Sequence, residues 1–372
     1  MELADKEVCS GCHACFNACP KHCITMTYDE DGFLQPNIDT SICIECGKCK
    51  AVCPVLKDYN GNPKGKAFAC INNNDNIRIQ SSSGGVFTLI AEYVLDNGGV
   101  VFGAVSTKKE LNLLRGSKYL QSEIGDSFIR VKEYLENGKL VLFTGTPCQI
   151  SGLKAYLNKA YDNLIMQDLI CHGVPSPKVW QIYLRYQSKK HKSQVDRESI
   201  PVFRKKDEGW QRYSVSLSFI NGAEYCSTFD RDLFMNAFLS NICLRLSCYN
   251  CHSKSLNRES DITLADFWGV DNVIPELFDD IGTSLVLVNS KKGMKIFEYI
   301  SQYMKCRETD IDVAVSYNLA AKKSSDMPKN RNKFMKYLNS NNFAKLTNKY
   351  SKAPFMLRLK IFVKKVLIKF IR

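Results

Sequence analysis

The sequence predicts an α+β protein in which a small amino-terminal domain organised by cysteines precedes a larger mixed α/β body. A cysteine spacing occurs twice near the start, short apolar runs alternate with segments of helical period from Lys66 onward, and strand-like texture takes over after Pro201.

The repeated spacing is Cys9-x2-Cys12-x2-Cys15-x3-Cys19-Pro20 and again Cys43-x2-Cys46-x2-Cys49-x3-Cys53-Pro54. Two residues between successive cysteines let three sulfurs converge on one cubane, and the last cysteine of each run crosses to the other site, as in bacterial-type two-cluster ferredoxins. Cys9, Cys12, Cys15 and Cys53 are thereby assigned to one 4Fe-4S cluster, and Cys43, Cys46, Cys49 and Cys19 to a second. Each proline then turns the chain away. Zinc also accepts Cys-x2-Cys pairs, but it takes four ligands per ion and rarely meets three cysteines so spaced with a fourth three residues on. The chain begins Met-Glu-Leu-Ala-Asp with no apolar signal segment, so its seventeen cysteines are expected in a reducing cytoplasm and not in disulfides. Between the runs, Thr25 to Tyr28 and Phe33 to Pro36 flank Asp29-Glu30-Asp31-Gly32 as a short hairpin. Cys23 lies outside both spacings and is expected to pack.

Asp58 to Gly65 is a polar, glycine-bearing linker that ends the first domain at about residue 61. Beyond it, Lys66 to Ile71, Val100 to Val105, Lys139 to Phe143 and Leu164 to Ile170 read as strands, with helical period in Val86 to Leu95 and Glu123 to Glu136. Arg212 to Ile220 and Ala223 to Phe229 flank Asn221-Gly222 as a hairpin.

No apolar run is long enough to span a bilayer. The net charge is +13, yet thirteen of the 51 basic residues follow Asp326, where there is no acid, and the remainder balance the 38 acids. A balanced body gives nucleic-acid binding little support. Phe355 to Arg372 reads as a basic amphipathic helix, with Met356, Leu359, Phe362, Val363, Val366, Leu367 and Phe370 on one face. It suits peripheral contact with the inner membrane face, a partner, or the chain's own body.

Four places in the body carry chemistry. Ser81-Ser82-Ser83-Gly84-Gly85 precedes a helix and suits either a bound phosphate or ordinary capping. Cys148 falls in the first turn of a helix begun by Pro147, where the macrodipole favours a thiolate, although a buried packing thiol reads the same way. Cys171-His172-Gly173 ends a strand and Cys248-Tyr249-Asn250-Cys251 supplies a pair, so Cys148, Cys171, Cys248 and Cys251 make a tetrad for a third cluster, with Cys243 as a rival. Asp266 closes the strand of Asp261 to Gly269 and either orients a bound group or makes a turn.

Ser82 to Gly85, Gly116-Ser117-Lys118-Tyr119, Gly145 to Gln149, Cys171 to Gly173, Ser247 to Cys251 and Ser260 to Gly269 together resemble the coenzyme F-420 hydrogenase/dehydrogenase beta-subunit family, in the family's order over about residues 62 to 290. Leu246 departs from the expected proline. The resemblance implies a family amino-terminal α/β domain over 62–145 and a carboxy-terminal domain over 146–325, and the basic tail over 326–372 lies outside it. It implies bound FAD, with Ser82, Ser83, Gly84, Gly85 and Lys118 as contacts, and a third 4Fe-4S cluster on the tetrad. The activity so implied is an FAD-dependent iron-sulfur oxidoreductase with a redox partner protein or ferredoxin and an unidentified small-molecule or glycan-pathway substrate. The alternative is an electron-transfer subunit without its own substrate. His172 and Asp266 are the candidates for proton supply.

Overall fold

The computed structural model describes residues 3–57, 61–103 and 123–351. In the amino-terminal domain β1 (Ile24–Tyr28) and β2 (Leu34–Ile38) pair antiparallel with Tyr28 opposite Leu34, the hairpin the sequence predicts. Its turn is organised by Asp29, whose Oδ1 accepts from the amides of Asp31 and Phe33 at 3.0 and 2.9 Å, while Gly32 takes the left-handed φ of +83° that a side chain resists. Short helices at Ala14–Ala18 and Lys48–Ala51 carry the ends of the two cysteine runs.

The body continues with β3 (Lys66–Asn72), β4 (Val100–Phe102), β5 (Val141–Thr144), β6 (Leu164–Leu169), β7 (Val202–Lys205), β8 (Ser214–Ser218), β9 (Glu224–Thr228), β10 (Ile262–Asp266), β11 (Ser284–Val288) and β12 (Met304–Thr309). Seven of them form one sheet in the order β12-β3-β11-β10-β6-β5-β4. Strands β4, β5, β6 and β10 run parallel, and β11, β3 and β12 extend the sheet antiparallel. Every residue of β11 is buried, as expected for a strand covered on both faces. Because β3, β4 and β5 share one sheet with β6, β10, β11 and β12, the division expected at residue 145 falls inside one structural layer.

The Asn221-Gly222 hairpin is present as β8 and β9, and β7 adds a third strand. The helices that matter for the site are Val86–Asp96, Ser127–Glu136 and Pro147–Leu157. The last opens on a capping box between Thr146 and Gln149. The segment expected to begin a tail at 326 instead adds helices Arg331–Tyr337 and Phe343–Tyr350 to the body. Phe334, Met335, Leu338 and Phe343 share a core with Tyr183, Val215 and Phe234, so apolar spacing outweighs the basic composition there. Lys118, the helix expected over 355–372 and part of the 58–65 linker lie outside the described residues. Among the described residues no helix is long and apolar enough to cross a membrane.

The two parts share a core. Cys12 and Ala14 pack with Phe128 and Val131 of one body helix and Ile150 and Leu153 of the next.

Candidate metal centres

The two cysteine runs fold around two cavities. One is lined by Cys9, Cys12, Cys15 and Cys53, the other by Cys19, Cys43, Cys46 and Cys49. Each cavity thus takes three cysteines from one run and the last from the other, which is the crossover that the spacing predicts. Left-handed residues make the tight loops possible: Gly11 at φ +65°, His13 at +63° and Gly47 at +72° turn the backbone between successive sulfurs.

Electrostatics show what these cavities require. Burial pushes the Cys12 thiol far above its ordinary range, and Cys148, Cys15 and Cys9 add to the effect. Burial likewise lifts Cys15 to about 12, reinforced by Cys9 and Cys53. Four thiolates cannot gather out of water unless a cation compensates them, so this donor set fits an iron-sulfur cluster.

Cys23 lines the second cavity as well, its Sγ lying 3.3 Å from that of Cys19. It is buried as expected, but against ligand-type sulfurs and not in plain apolar packing. The i,i+4 spacing from Cys19 is the sequence signal for that position.

The body brings a third group together at the carboxyl end of the parallel strands, where α/β sheets place their ligands. β5 and β6 run parallel with Thr144 beside Gln167, so Cys148 and Cys171 emerge from the same edge of the sheet. The short helical turn Leu246–Asn250 and the residue after it deliver Cys248 and Cys251 to the same place. Burial is the main cause of the raised Cys171 thiol, with Cys248, Cys148 and Cys251 contributing, and Cys248 is lifted to about 12 by burial with Cys148 and Cys251. Cys148, Cys171 and Cys248 thus lie within electrostatic reach of the rest of the group. The amide of Val174 donates to Cys248 Sγ at 3.4 Å, and Thr146 Oγ1 lies 3.2 Å from Cys148 Sγ. Cys243, the rival, is fully buried in the core beside Tyr183 and Phe234, and none of the tetrad's cysteines perturbs its thiol.

The first cavity and this tetrad are adjacent. A Cβ placed on Gly152 would stand 2.9 Å from Cys12 Sγ, so only glycine admits that sulfur to the Pro147–Leu157 helix. Cys148 lies one helical turn before Gly152, on the same face. Between the two sites sits Arg245, buried, its Nε donating to Cys9 O at 2.9 Å and its Nη2 to Leu34 O. Among the described residues no carboxylate pairs with it. No local pattern in the sequence marks Arg245, and its place three residues before Cys248 is the one available hint.

Ser83 Oγ donates to Thr283 O at 2.9 Å, and the Gly84 amide donates to Ser284 Oγ at 3.0 Å. The segment is thus tied to the sheet, while the Val86–Asp96 helix that follows has no side-chain cap. Lys206 Nζ donates to Arg78 O and Ser83 O at 2.7 and 3.0 Å beside that helix start, and burial pulls its pKa down to about 7. Ser82 is buried and Gly85 is left-handed at φ +81°.

Asp266 binds inward. Its carboxylate pairs with Arg204 and accepts from Trp210 Nε1 at 3.0 Å, and Trp210 stacks on Trp268. His172 packs edge-on against Phe238 at 4.9 Å, its Nε2 buried without a hydrogen-bond partner. Burial, then the nearby Lys254, hold its pKa below the ordinary value, so it is a neutral imidazole at neutral pH. His172 and Asp266 follow neighbouring parallel strands, but no described contact joins them.

Family models match both parts of the chain. Residues 138–313 match the family described as the carboxy-terminal part of the coenzyme F420 hydrogenase/dehydrogenase beta chain, and residues 8–56 match the 4Fe-4S dicluster domain. A 7Fe ferredoxin of Hydrogenibacillus schlegelii is 43% identical over 47 residues, which cover 13% of this chain and 54% of that protein. The chain therefore spans about half the length of that relative. An uncharacterized ferredoxin of Methanocaldococcus jannaschii is 36% identical over 73 residues, 17% of this chain and 94% of that protein. A chain from the F420-reducing [NiFe] hydrogenase complex of Methanosarcina barkeri superposes over 79% of this chain and 93% of its own, at 15% identity and a TM-score of 0.43.

Proposed function

This chain belongs to the coenzyme F420 hydrogenase/dehydrogenase beta-subunit family and carries a 4Fe-4S dicluster domain ahead of it, and from that premise we propose an FAD-dependent iron-sulfur oxidoreductase. The observation that carries the reading is the adjacency of the Cys9-Cys12-Cys15-Cys53 cavity to the Cys148-Cys171-Cys248-Cys251 tetrad across Gly152. Bound at these places, the clusters would supply single-electron steps and a flavin would supply hydride chemistry.

The chain's own residues do the rest. Twelve cysteines hold the irons, the shared core around Cys12 and Phe128 excludes water between the two parts, and Arg245 sets a positive charge between two anionic sites. For the flavin, support comes from the uncapped start of the Val86–Asp96 helix with Ser82 to Gly85 and Lys206 beside it, a setting that suits a phosphate. His172 sits next to Cys171 with an open nitrogen, which suits it to hold or pass a proton. The substrate would be a small molecule reached at the carboxyl end of the sheet.

Iron, sulfide and flavin quantification on anaerobically purified protein tests this. About twelve irons and one FAD are expected from three cubanes. About eight irons would remove the tetrad cluster. Iron without flavin would leave an electron-transfer subunit that serves a partner enzyme.

A further inference from the structure

Two ligands of the tetrad hang from one small frame. Pro175 and Leu244 form an antiparallel bridge, and beside it Ser176 N donates to Cys243 O at 2.8 Å and Arg245 N to Val174 O at 3.0 Å. Cys171 stands three residues before Val174, and Cys248 three residues after Arg245. The Val174 amide donates to Cys248 Sγ at 3.4 Å and closes the two arms on each other. A displacement of this frame would carry both cysteines with it. The frame is also tied to the amino-terminal domain, for Ser176 Oγ donates to Asp31 O in the hairpin turn, and Arg245 Nε to Cys9 O at 2.9 Å.

A third tie comes from far along the chain. Arg331 is the first residue of the helix Arg331–Tyr337 and is 1% exposed. Its Nε and Nη2 both donate to Leu244 O, at 3.1 and 2.9 Å, while its Nη1 pairs with Asp31 Oδ2 at 2.9 Å. One guanidinium thus joins the hairpin turn of the amino-terminal domain to the carbonyl beside Arg245. It also lies 5.8 Å from the centre of the Tyr249 ring, between Cys248 and Cys251 in the chain. Phe334 and Met335 anchor the helix in the core of the body, so the guanidinium is held from its own side as well. A helix that only packed here would be served by an apolar residue, because a buried cation is costly to desolvate and its best-attested use is to fix register. The planar fork of arginine suits that use, since it fixes direction as well as distance. Arg331 lies outside both matched segments, 8–56 and 138–313.

We propose that Arg331 is a positioning residue for electron transfer within this chain: by holding Leu244 O and Asp31 at once, it sets, together with Arg245, the gap between the Cys9-Cys12-Cys15-Cys53 centre and the Cys148-Cys171-Cys248-Cys251 centre. The inference rests on the reading that both sets of cysteines hold clusters. The step it governs is the passage of one electron: one centre is oxidised by one, the other is reduced by one, and no bond or proton changes place. Arg331 touches neither centre and acts through the frame. Tunnelling weakens steeply with separation, so a small shift of the frame alters the rate while every ligand stays in place. The helix that follows Arg331 is thereby a working part of the relay.

The test uses the full, anaerobically reconstituted chain and two variants. Arg331→Lys keeps the charge opposite Asp31 but replaces the fork by a single ammonium, so Leu244 O loses its two-pronged hold. Asp31→Asn cuts the tie to the amino-terminal domain and leaves Leu244 O bound, and with a side chain 13% exposed it is the milder change should Arg331→Lys fold poorly. Both should load about twelve irons, as the unaltered protein does. Two readouts report the gap well below the unfolding temperature: the magnetic coupling between the two reduced centres in electron paramagnetic resonance, and the rate of electron passage between them after rapid photoreduction. Coupling should weaken in both variants, and the rate should fall about tenfold in Arg331→Lys, since misplacing reacting groups by about 1 Å has effects of that order or larger. The midpoint potentials should hold in Arg331→Lys, which separates a changed gap from a changed charge. Full iron with unchanged coupling and an unchanged rate in both variants would overturn the positioning role. About eight irons in the unaltered protein would instead overturn the cluster reading, and the proposal with it.

Discussion

Arg245 reaches out of the body and donates through Nε to the main-chain oxygen of Cys9 at 2.9 Å. One side chain thus fixes the distance between the amino-terminal domain and the loop that bears Cys248 and Cys251. Its charge is buried and lowers the Cys148 and Cys248 thiols against the stronger effect of burial. Reduction adds negative charge to a cluster, and a neighbouring cation favours it. Arg245→Met should move the midpoint of the Cys9-Cys12-Cys15-Cys53 centre to more negative potential by roughly 60 mV or more, a tenfold change for one electron. Arg245→Lys should recover part of that shift. Anaerobic redox titration followed by electron paramagnetic resonance measures both.

Cys243 separates packing from ligation. It is fully buried, and burial alone lifts its thiol to about 12. Cys243→Ser places a hydroxyl among apolar neighbours and should cost about 1–3 kcal/mol in stability. Its iron content should equal that of the unaltered protein, whereas Cys251→Ser should lose about four irons. A loss of iron in Cys243→Ser would reassign the tetrad.

Spacing alone carries the amino-terminal domain, because cubane chemistry restricts it so tightly that Cys53 can be given to the first site without any knowledge of the fold. The tetrad is legible less directly, since Cys148 and Cys171 meet only through the parallel pairing of β5 with β6. Arg245 and Gly152 carry no functional signal in the sequence, because a single arginine or glycine acquires its role from a partner far away along the chain. Residues 331–350 look like tail by charge counting, which ignores spacing, yet Phe334, Leu338 and Phe343 fall where a core needs them. The single sheet across residue 145 follows from β11 and β12 returning beside β3, a long-range pairing that local pattern does not encode.

Asp266 is committed to structure. Its carboxylate neutralises Arg204, whose guanidinium also lies 3.9 Å from the centre of the Tyr213 ring, and accepts from the buried Trp210. Asp266→Asn keeps the shape and removes the negative charge that pairs with Arg204. A loss of about 2–4 kcal/mol in denaturant unfolding is expected. Iron content should be unchanged, so a stable Asp266→Asn protein with impaired substrate turnover would restore Asp266 as a proton donor.

The Arg78–Asp279 pair predicts acid sensitivity. Arg78 is buried and donates from Nη1 to Asp279 Oδ2 at 2.6 Å. Burial tends to raise the Asp279 pKa, but the Arg78 hydrogen bond and charge and the Ile281 amide outweigh it and hold it below the ordinary value. Asp279 therefore binds its proton less readily when folded, so the pair's contribution is full above the unfolded carboxylate pKa of about 3.9 and is lost as pH falls through the lower folded value. Asp279→Asn should cost about 1 kcal/mol at pH 7, kept small by the exposure of that carboxylate. The gap between variant and unaltered protein in urea unfolding should close as the solution is acidified, and a gap that is constant down to low pH would refute the assignment.

Gly152 controls how near the two parts come. A Cβ there would lie 2.9 Å from both Cys12 Cβ and Sγ, and Cys12 cannot retreat because Phe128 and Ile150 pack around it. Gly152→Ala gains helix propensity of up to about 1 kcal/mol, yet it forces an atom into a filled space at a cost of about 1–3 kcal/mol. The variant should therefore be less stable than the unaltered protein despite the better helix former, as thermal unfolding would register. Its irons should still load, since no ligand is removed, but exchange between the first centre and the tetrad should slow as they are pushed apart. Unchanged stability together with unchanged intramolecular electron transfer would show that Cys12 and the Pro147–Leu157 helix are not held in contact.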